Sequence, residues 1–274
     1  MAITLTHTAP SVVTVTPFNP LLGQAIGDRI GGPVRMAMML GHAIADANGL
    51  DTTLVLQRYL AWHRTDAFDT GPTWSAVLED IANGTAPATA VQRVHAGQRG
   101  LTAGANTAHR ATAIGCAAVI PDAQVADAAR TEARLTHWHP DAAESSAATA
   151  TIVRSMLRGA TLEAAVSEAA RVTTGLVHTR LSTNTPNRLQ LSRGGYAPEV
   201  LEAAVYFTRT ATDFRDAIGQ SIHFAGMSNY CPVLVGAFAA LRFGVVPVEE
   251  YPVDEALARE ADEAFARVWG GRVT

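Results

Sequence analysis

The feature that most constrains the fold is an uncharged stretch near the C-terminal end, residues 232–241, which reads PVLVGAFAAL. A helix that is apolar on every side is stable only when other elements surround it. This stretch therefore predicts a central, buried helix. Alanine is the dominant residue of the chain, and β-branched clusters are few and short after the first 20 residues. Both observations predict an all-α fold, an orthogonal bundle of helices around that central element.

Capping residues mark where several other helices begin. Asp213 is a suitable N-cap for the helix that leads into the central one, and Asn19 followed by Pro20 marks the first helix of the chain. Gly23 and Gly27 lie on that first helix, where small residues would let a neighbouring helix approach closely. Further helices are predicted over residues 36–45, 54–63, 72–83, 142–158, 161–174 and 252–270. Residues 175–193 contain several helix breakers and are predicted to form a loop.

Composition excludes several classes of protein. The net charge is -4 and every basic residue other than histidine is arginine, so nothing indicates a nucleic-acid-binding surface. Two cysteines are too few for a disulfide framework, and no apolar run reaches the length of a membrane span. We expect a cytoplasmic protein with no membrane partner. Residues 1–18 are predicted to be an extended arm and residues 19–274 a single domain, while the oligomeric state is left open.

Four motifs occur in a characteristic order. Gly27-Asp28-Arg29-Ile30-Gly31 is followed by Phe68-Asp69-Thr70-Gly71, by the glycine-containing segment 97–110 and by the His-Pro segment 129–141. Together with the buried helix they resemble the ADP-ribosylglycohydrolase superfamily, which includes dinitrogenase-reductase-activating glycohydrolase. The resemblance implies that family's helical fold, hydrolysis of an N-ribosyl bond and a pair of divalent cations.

The residues that hold the cations in that family are replaced here. A Gly-Gly-Asp-x-Asp-Thr turn normally precedes the buried helix, but Met227, Asn229 and Tyr230 stand at its three ligand positions. After the first motif, Arg35 stands where the family has Glu, and the loop that carries the other carboxylates is missing. Divalent cations need several oxygen ligands, mostly carboxylates. We therefore expect no metal and no cofactor; zinc bound by His137 with His139, or by His63 with Asp66, is disfavoured.

Asp69 is the first candidate for the catalytic carboxylate, since cleavage of an N-riboside develops positive charge on the sugar. Its alternative role is the N-cap of the following helix. Asp28 is the second candidate, and its alternative role is helix packing and local hydrogen bonding. Cys231 at a helix start could be a nucleophile or a small buried thiol.

The resemblance also implies a set of substrate-binding residues that would hold ribose and phosphate: Arg35, Ala105, Asn106, Thr107, His109, His137, Asn229 and Tyr230. Arg35 would supply the positive charge of the lost cations, or it is a surface arginine. Asn229 and Tyr230 would hold a hydroxyl or a water, or they fill the vacated space. His109 would face the cleft or lie on a helix surface, and Arg110 would support the fold.

These features predict a metal-independent hydrolase that cleaves a ribosyl N-glycosidic bond. The partner would be a small ribosyl or phosphoribosyl molecule, nucleotide-like or derived from NAD. Two alternatives stay open. The chain could be a catalytically inactive relative that binds ADP-ribose or a protein, or the scaffold could catalyse a lyase or cyclisation step.

Overall fold

A computed structural model describes residues 18–183, 187–244 and 246–270, and those residues form an all-α protein. This part of the chain contains fourteen α-helices and, in place of strands, a single antiparallel bridge between Gly104 and Tyr196. The predicted fold class is thus confirmed. All but the last residue of the predicted arm, 1–18, lies outside the described residues. Within them, no helix combines the length and apolar character needed to cross a bilayer.

The helices follow one another with short connections. Their bounds are α1 Pro20–Asp28, α2 Gly32–Ala47, α3 Thr52–His63, α4 Pro72–Ala82, α5 Pro87–Gly97, α6 Asn106–Cys116, α7 Val125–Ala133, α8 Pro140–Leu157, α9 Leu162–Val172, α10 Gly175–Ser182, α11 Ala197–Thr210, α12 Phe214–Ala225, α13 Tyr230–Phe243 and α14 Glu255–Trp269.

Helix α10 lies inside the segment that was predicted to be a loop, so that prediction was wrong for residues 175–182. The helix breakers of the segment lie beyond the end of α10 or, in Gly175, at its first position. Val177 buries its side chain against the rest of the core and is only 1% exposed. One buried anchor and the packing of neighbouring helices outweigh a weak local preference, because most helical stability in proteins comes from tertiary contacts.

The predicted close approach of two helices is confirmed for α1 and α13. A Cβ atom added to Gly23 would lie 2.2 Å from the carbonyl oxygen of Gly236, and one added to Gly27 would lie 1.9 Å from that of Pro232. Both distances are far below van der Waals contact, so only glycine allows the two backbones to meet here. Residues 231–240 of α13 are all buried, as expected of a central helix.

The predicted caps also form. Asn19 Oδ1 accepts from the backbone N–H groups of Leu21 and Leu22 at 2.9 and 3.1 Å, and Asp213 accepts from that of Asp216 at 2.8 Å. Each cap satisfies donors that have no partner inside the first turn of a helix. These two helix starts therefore follow from local sequence alone.

Four connecting segments carry or adjoin the candidate site residues, and hydrogen bonds from Asn229 join three of them. The segments are the α1–α2 junction, the α3–α4 turn, residues 98–105 before α6, and the α12–α13 turn. The segment before α6 pairs with the start of α11, since Ala105 donates its backbone N–H to the carbonyl of Gly195 at 2.9 Å and Ala197 donates to that of Ala103 at 2.8 Å. Binding sites are commonly built where such connections meet on a rigid scaffold.

Candidate functional site

Asp69 lies in the turn between α3 and α4, and its carboxylate is half-buried. Its backbone φ is 50°, in the left-handed region that few non-glycine residues occupy. The N-cap position of α4 belongs to Gly71, so the alternative role of Asp69 as a helix cap is excluded. The side-chain amide of Asn106 donates to the carbonyl oxygen of Thr70 and ties this turn to the start of α6.

Asn229 joins the two candidate carboxylates. Its Nδ2 donates to Asp28 Oδ1 at 2.8 Å and to Asp69 Oδ2 at 2.9 Å. The second oxygen of Asp28 accepts from the backbone N–H of Val34 in the first turn of α2 at 2.8 Å, a favourable position for a negative charge. The three side chains thus form a cluster. Asp28 comes from the end of α1, Asp69 from the α3–α4 turn and Asn229 from the α12–α13 turn. The amide of Asn229 was predicted to hold a ligand hydroxyl or a water. In the structure it donates to two protein carboxylates instead.

The two carboxylates differ in access. Asp28 is fully buried, with no exposed surface, whereas Asp69 is open on one side. Asp28 has no exposed surface that a substrate could touch, which does not fit its predicted catalytic role, and it accepts a hydrogen bond from Asn229 instead. Burial raises the pKa of Asp28 to about 6, against the lowering effect of its N–H donors, and the nearby Asp69 adds to the rise. Burial likewise raises the pKa of Asp69, while the hydrogen bond from Asn229 lowers it.

The residues at the family's cation positions do not fit a pair of divalent cations. Met227 is 96% exposed and offers only a thioether. Asn229 points its N–H donors, not its oxygen, at both carboxylates. In the described part of the chain, no three His, Cys, Asp or Glu side chains are grouped closely enough to hold a metal. A hard cation needs oxygen ligands, and the amide nitrogen of Asn229 provides none.

Two of the three predicted contacts at the start of α6 are engaged inside the protein. The backbone N–H of Ala105 is taken by Gly195, and the hydroxyl of Thr107, which is fully buried, donates to the carbonyl of Ala142 at 3.1 Å. These two groups do not fit the predicted contacts with a ligand. Asn106 lies at the site but holds the Asp69 turn, as described above, so it acts through that turn.

His109 is neither in the cleft nor on a helix surface, because its side chain is fully buried. Its Nε2 lies 2.9 Å from the carbonyl oxygen of Tyr230, and burial lowers the pKa of the imidazole to about 4. The ring is therefore neutral and donates to that carbonyl. His109 therefore holds the start of α13 from inside the core. It has no exposed surface for contact with a substrate, contrary to the prediction that it binds one.

Tyr230 is a predicted binding residue that remains accessible, with 38% of its surface exposed. Its ring lies against Gly195, where an added Cβ would come within 2.8 Å of Cζ. The neighbouring Cys231 is 4% exposed, and burial raises the pKa of its thiol to about 12. Of its two predicted roles, the structure therefore supports the small buried thiol.

His137 belongs to a closed polar network in the core. Its Nδ1 lies 2.8 Å from the hydroxyl of Thr136, which accepts from Arg110 Nη2 at 2.7 Å. Arg110 Nε in turn donates to both oxygens of Glu132, at 2.7 and 2.9 Å. His137 is 2% exposed and burial holds its pKa well below the usual value. It supports the loop at Gly104 from beneath, so direct contact with a ligand is not its role, while the supporting role of Arg110 fits the prediction.

Arg35 lies on the first turn of α2 but turns away from the two carboxylates. Its Nη1 is 3.7 Å from Glu260 Oε2 on α14, and its guanidinium lies 5.8 Å from the centre of the Phe68 ring. Arg35 therefore does not stand in for the lost cations beside Asp69 and Asn229. It borders a different cavity, between α1, α2 and the start of α14.

A cavity of about 470 Å³ is bordered by Gly195, the glycine against which the ring of Tyr230 lies. Gly104 and Gly195 form part of its wall, and its polar side chains are His139 and Tyr196, neither of which was predicted as a site residue. Tyr196 donates its hydroxyl to Asp141, and His139 Nδ1 accepts the backbone N–H of Asp141 at 3.1 Å. The sequence signal for these residues was weak, since a His-Pro helix start and a Tyr after two glycines are common structural patterns.

Comparisons with known proteins agree with this architecture. A family model described as ADP-ribosylglycohydrolase matches residues 34–269. No curated protein sequence matches the chain significantly. Among solved structures, one titled "ADP-ribosylglycohydrolase-related protein complex" superposes with a TM-score of 0.74 at 19% identity and covers 92% of this chain and 96% of its own. At that identity the structural match establishes the shared fold and nothing finer.

Proposed function

Because the chain belongs to the ADP-ribosylglycohydrolase family, we propose that it is a hydrolase that cleaves a ribosyl N-glycosidic bond without a metal ion. The observation that carries the proposal is the cluster of Asp28, Asn229 and Asp69, in which an amide joins two carboxylates. The carboxylate of Asp69 is only half-buried, whereas that of Asp28 is fully buried. The glycohydrolase scaffold itself follows from family membership. The absence of a metal requirement and the nature of the substrate are the proposal.

Asp69 has the properties of a general base in this proposal. Asn229 holds one of its oxygens, Oδ2, and sets the orientation of the carboxylate. Its raised pKa makes it a stronger proton acceptor than an ordinary aspartate at neutral pH. In the reaction, water attacks the anomeric carbon while the bond to nitrogen breaks and its electron pair leaves with the base. Asp69 takes the proton of the water and its negative charge stabilises the positive charge that develops on the ribose.

The cavity bordered by Gly195 supports the proposed substrate class. Its volume of about 470 Å³ fits a nucleotide-sized molecule, since ligand pockets usually measure about 300–1,000 Å³. The ring of Tyr230 lies against Gly195 in the cavity wall, and the preceding residue in the chain, Asn229, donates to Asp69. We propose a small nucleotide-like or NAD-derived molecule as substrate, with its ribose over Tyr230 and the rest of the molecule beside Gly104 and His139.

The test is to incubate the purified protein with a panel of N-ribosides, including NAD, nicotinamide ribotide and ADP-ribosyl compounds. Each reaction is run with EDTA and with added Mg²⁺ or Mn²⁺, and release of the free base is measured by chromatography. We expect turnover of at least one compound, at the same rate in EDTA as in either metal. Turnover that appears only with metal would refute the metal-independent mechanism.

The matched variants are Asp69→Asn and Asp66→Asn. Asp69→Asn should lower kcat about 10³-fold or more while the ligand still binds, because removal of a catalytic base costs rate more than affinity. Asp66 lies in the same turn, is exposed and accepts from Thr65 Oγ1 at 2.9 Å, so its variant should keep the wild-type rate. An Asp69→Asn variant with full activity would show that this carboxylate is not catalytic.

Two other outcomes correspond to the alternative functions. Binding of ADP-ribose without turnover of any compound would favour an inactive relative, which the replacement of the cation positions by Met227, Asn229 and Tyr230 also favours. Reaction in ¹⁸O-labelled water separates hydrolysis from the other chemistry. Hydrolysis places one labelled oxygen in the sugar product, whereas a lyase or cyclisation step places none.

A further inference from the structure

A second cavity, of about 490 Å³, lies between α1, the start of α2 and the segment that leads into α14. It is bordered by Gly31, where an added Cβ would lie 3.8 Å from the ring of Phe68 and 3.9 Å from Leu257 Cδ2. None of the residues that border it borders the first cavity, at Gly104, Gly195 and Tyr196. This cavity is therefore separate from the site proposed above.

Two arginines border the second cavity. Arg29 directs Nη2 at the carbonyl oxygens of Gly226, at 3.2 Å, and Ser228, which holds the guanidinium in place while using one of its nitrogens. Arg35 has only a long contact of 3.7 Å with Glu260, and both side chains of that pair are about two-fifths exposed. An exposed ion pair of this kind contributes little, so its charge is available to another anion.

One carboxylate borders the same cavity, but it is already engaged. Asp254 is the N-cap of α14, and its Oδ1 accepts from the backbone N–H groups of Ala256 and Leu257 at 2.9 and 3.0 Å. It therefore serves the end of the helix and does not neutralise the two arginines. The rest of the wall is mainly aliphatic and aromatic, and its side chains include Ile26, Ile222, Tyr251, Val253 and Leu257.

From this combination we infer that the second cavity binds a small organic anion with an apolar body. The anionic group, a carboxylate, sulfonate or phosphate, meets Arg29 and Arg35, whose planar guanidinium groups suit such oxygens. The apolar body lies between Ile26 and Leu257, where it replaces water against a mainly apolar wall. The volume of about 490 Å³ accommodates a molecule of two to three rings.

Two fluorescent probes of the same shape test the inference. 1-Anilinonaphthalene-8-sulfonate carries the anion, and N-phenyl-1-naphthylamine has the same ring system without it. We expect the anionic probe to bind at one site per chain and at least tenfold more tightly than the neutral probe. Equal affinity for the two probes, or binding at many weak sites, would overturn the inference.

Variants locate the probe. Arg35→Met keeps the length of the side chain and removes its charge, so it should weaken the anionic probe by roughly three- to tenfold and leave the neutral probe unchanged. Arg93→Met is the control, since Arg93 is an exposed arginine on α5 that pairs with Asp80 at 2.6 Å. If Arg35→Met binds the anionic probe as the wild type does, the assignment to this cavity is wrong.

Two further variants fill the cavity from different elements. Leu257→Trp on α14 and Val253→Trp in the segment before it should each abolish binding of the anionic probe, and if one fails to fold the other gives the same readout. Persistent binding in a folded variant contradicts the inference. Asp69→Asn should bind the probe like the wild type, so this test is independent of whether the proposed hydrolysis is observed.

Discussion

Two polar clusters in this protein differ in whether their charges are balanced. In the core, Arg110 and Glu132 are both fully buried, form two hydrogen bonds with each other and also contact Thr136 and Tyr59. At the site, Asp28 and Asp69 meet across the neutral amide of Asn229 and have no cation between them. The first cluster cancels its charges, whereas the second keeps two negative groups together.

The difference shows which cluster is structural. Arg110 and Glu132 balance each other's charge inside the core, and removal of either partner from such a buried pair is strongly destabilising. Burial of two carboxylates in one cluster raises the pKa of both Asp28 and Asp69, and the hydrogen bonds from the Asn229 amide offset only part of that rise. Strongly perturbed carboxyl groups next to an opening are more common at functional sites than in cores. The comparison therefore supports a structural role for the Arg110 cluster and agrees with the proposal that the Asp69 cluster carries the chemistry.

The largest expected effect comes from breaking the core pair. Glu132→Gln leaves the charge of Arg110 buried without its partner and should lower the free energy of unfolding by about 3–5 kcal/mol. Urea unfolding followed by circular dichroism measures this. Glu163→Gln, which removes the partner of Arg209 in an exposed pair at 2.8 Å, is the control and should change stability by less than about 1 kcal/mol. A similar loss of unfolding free energy in both variants would show that the buried pair is no more important to stability than the exposed one.

The second effect is a pH dependence that belongs to Asp28. Its pKa is about 6 in the folded protein and 3.8 in the unfolded chain, so between these values the folded state binds more protons. The stability contributed by this group is therefore present below about pH 4 and is lost as the pH rises through 6.

Asp28→Asn removes that titration. The stability of the wild type relative to the variant should fall by up to about 3 kcal/mol between pH 4 and pH 7.5, because each pKa unit corresponds to about 1.4 kcal/mol. Groups that titrate in both proteins cancel in this difference. Parallel stability curves for the two proteins would show that the pKa of Asp28 is not raised.

The smallest expected effect tests whether the amide of Asn229 keeps cations out of the Asp28–Asp69 cluster. Asn229→Asp places a third carboxylate against Asp28 and Asp69 and should cost roughly 3 kcal/mol in EDTA at pH 7.5, because two hydrogen bonds to charged groups are lost. Three carboxylates are a suitable set for a hard cation, so millimolar Mn²⁺ or Ca²⁺ should restore stability in this variant. The wild type, measured in the same titration, should not respond. A wild type that is stabilised as strongly would show that the amide does not exclude a cation.

The sequence predicted the candidate site only in part. Asp69 and Asn229 were selected because their motifs resemble those of a known family, and the structure brings them together. Thr107 and His137 were selected for the same reason, yet both are buried beneath the site. A motif locates a segment of chain, but burial of a side chain depends on which helices pack above it. His139 and Tyr196 were missed, because they reach the cavity through the pairing of two distant loops.

What the sequence determined by itself was local and periodic. An uncharged helix must be central, Asn19 and Asp213 must cap helices, and Gly23 must allow a close contact, because each follows from the chemistry of a few neighbouring residues. Only the tertiary structure decided that Asn229 lies between Asp28 and Asp69, which are 201 and 160 residues away in the chain. The same is true of Arg35, which turns toward Glu260 on α14. Which charges meet is a property of the packed helices, since no local preference sets the distance between remote side chains.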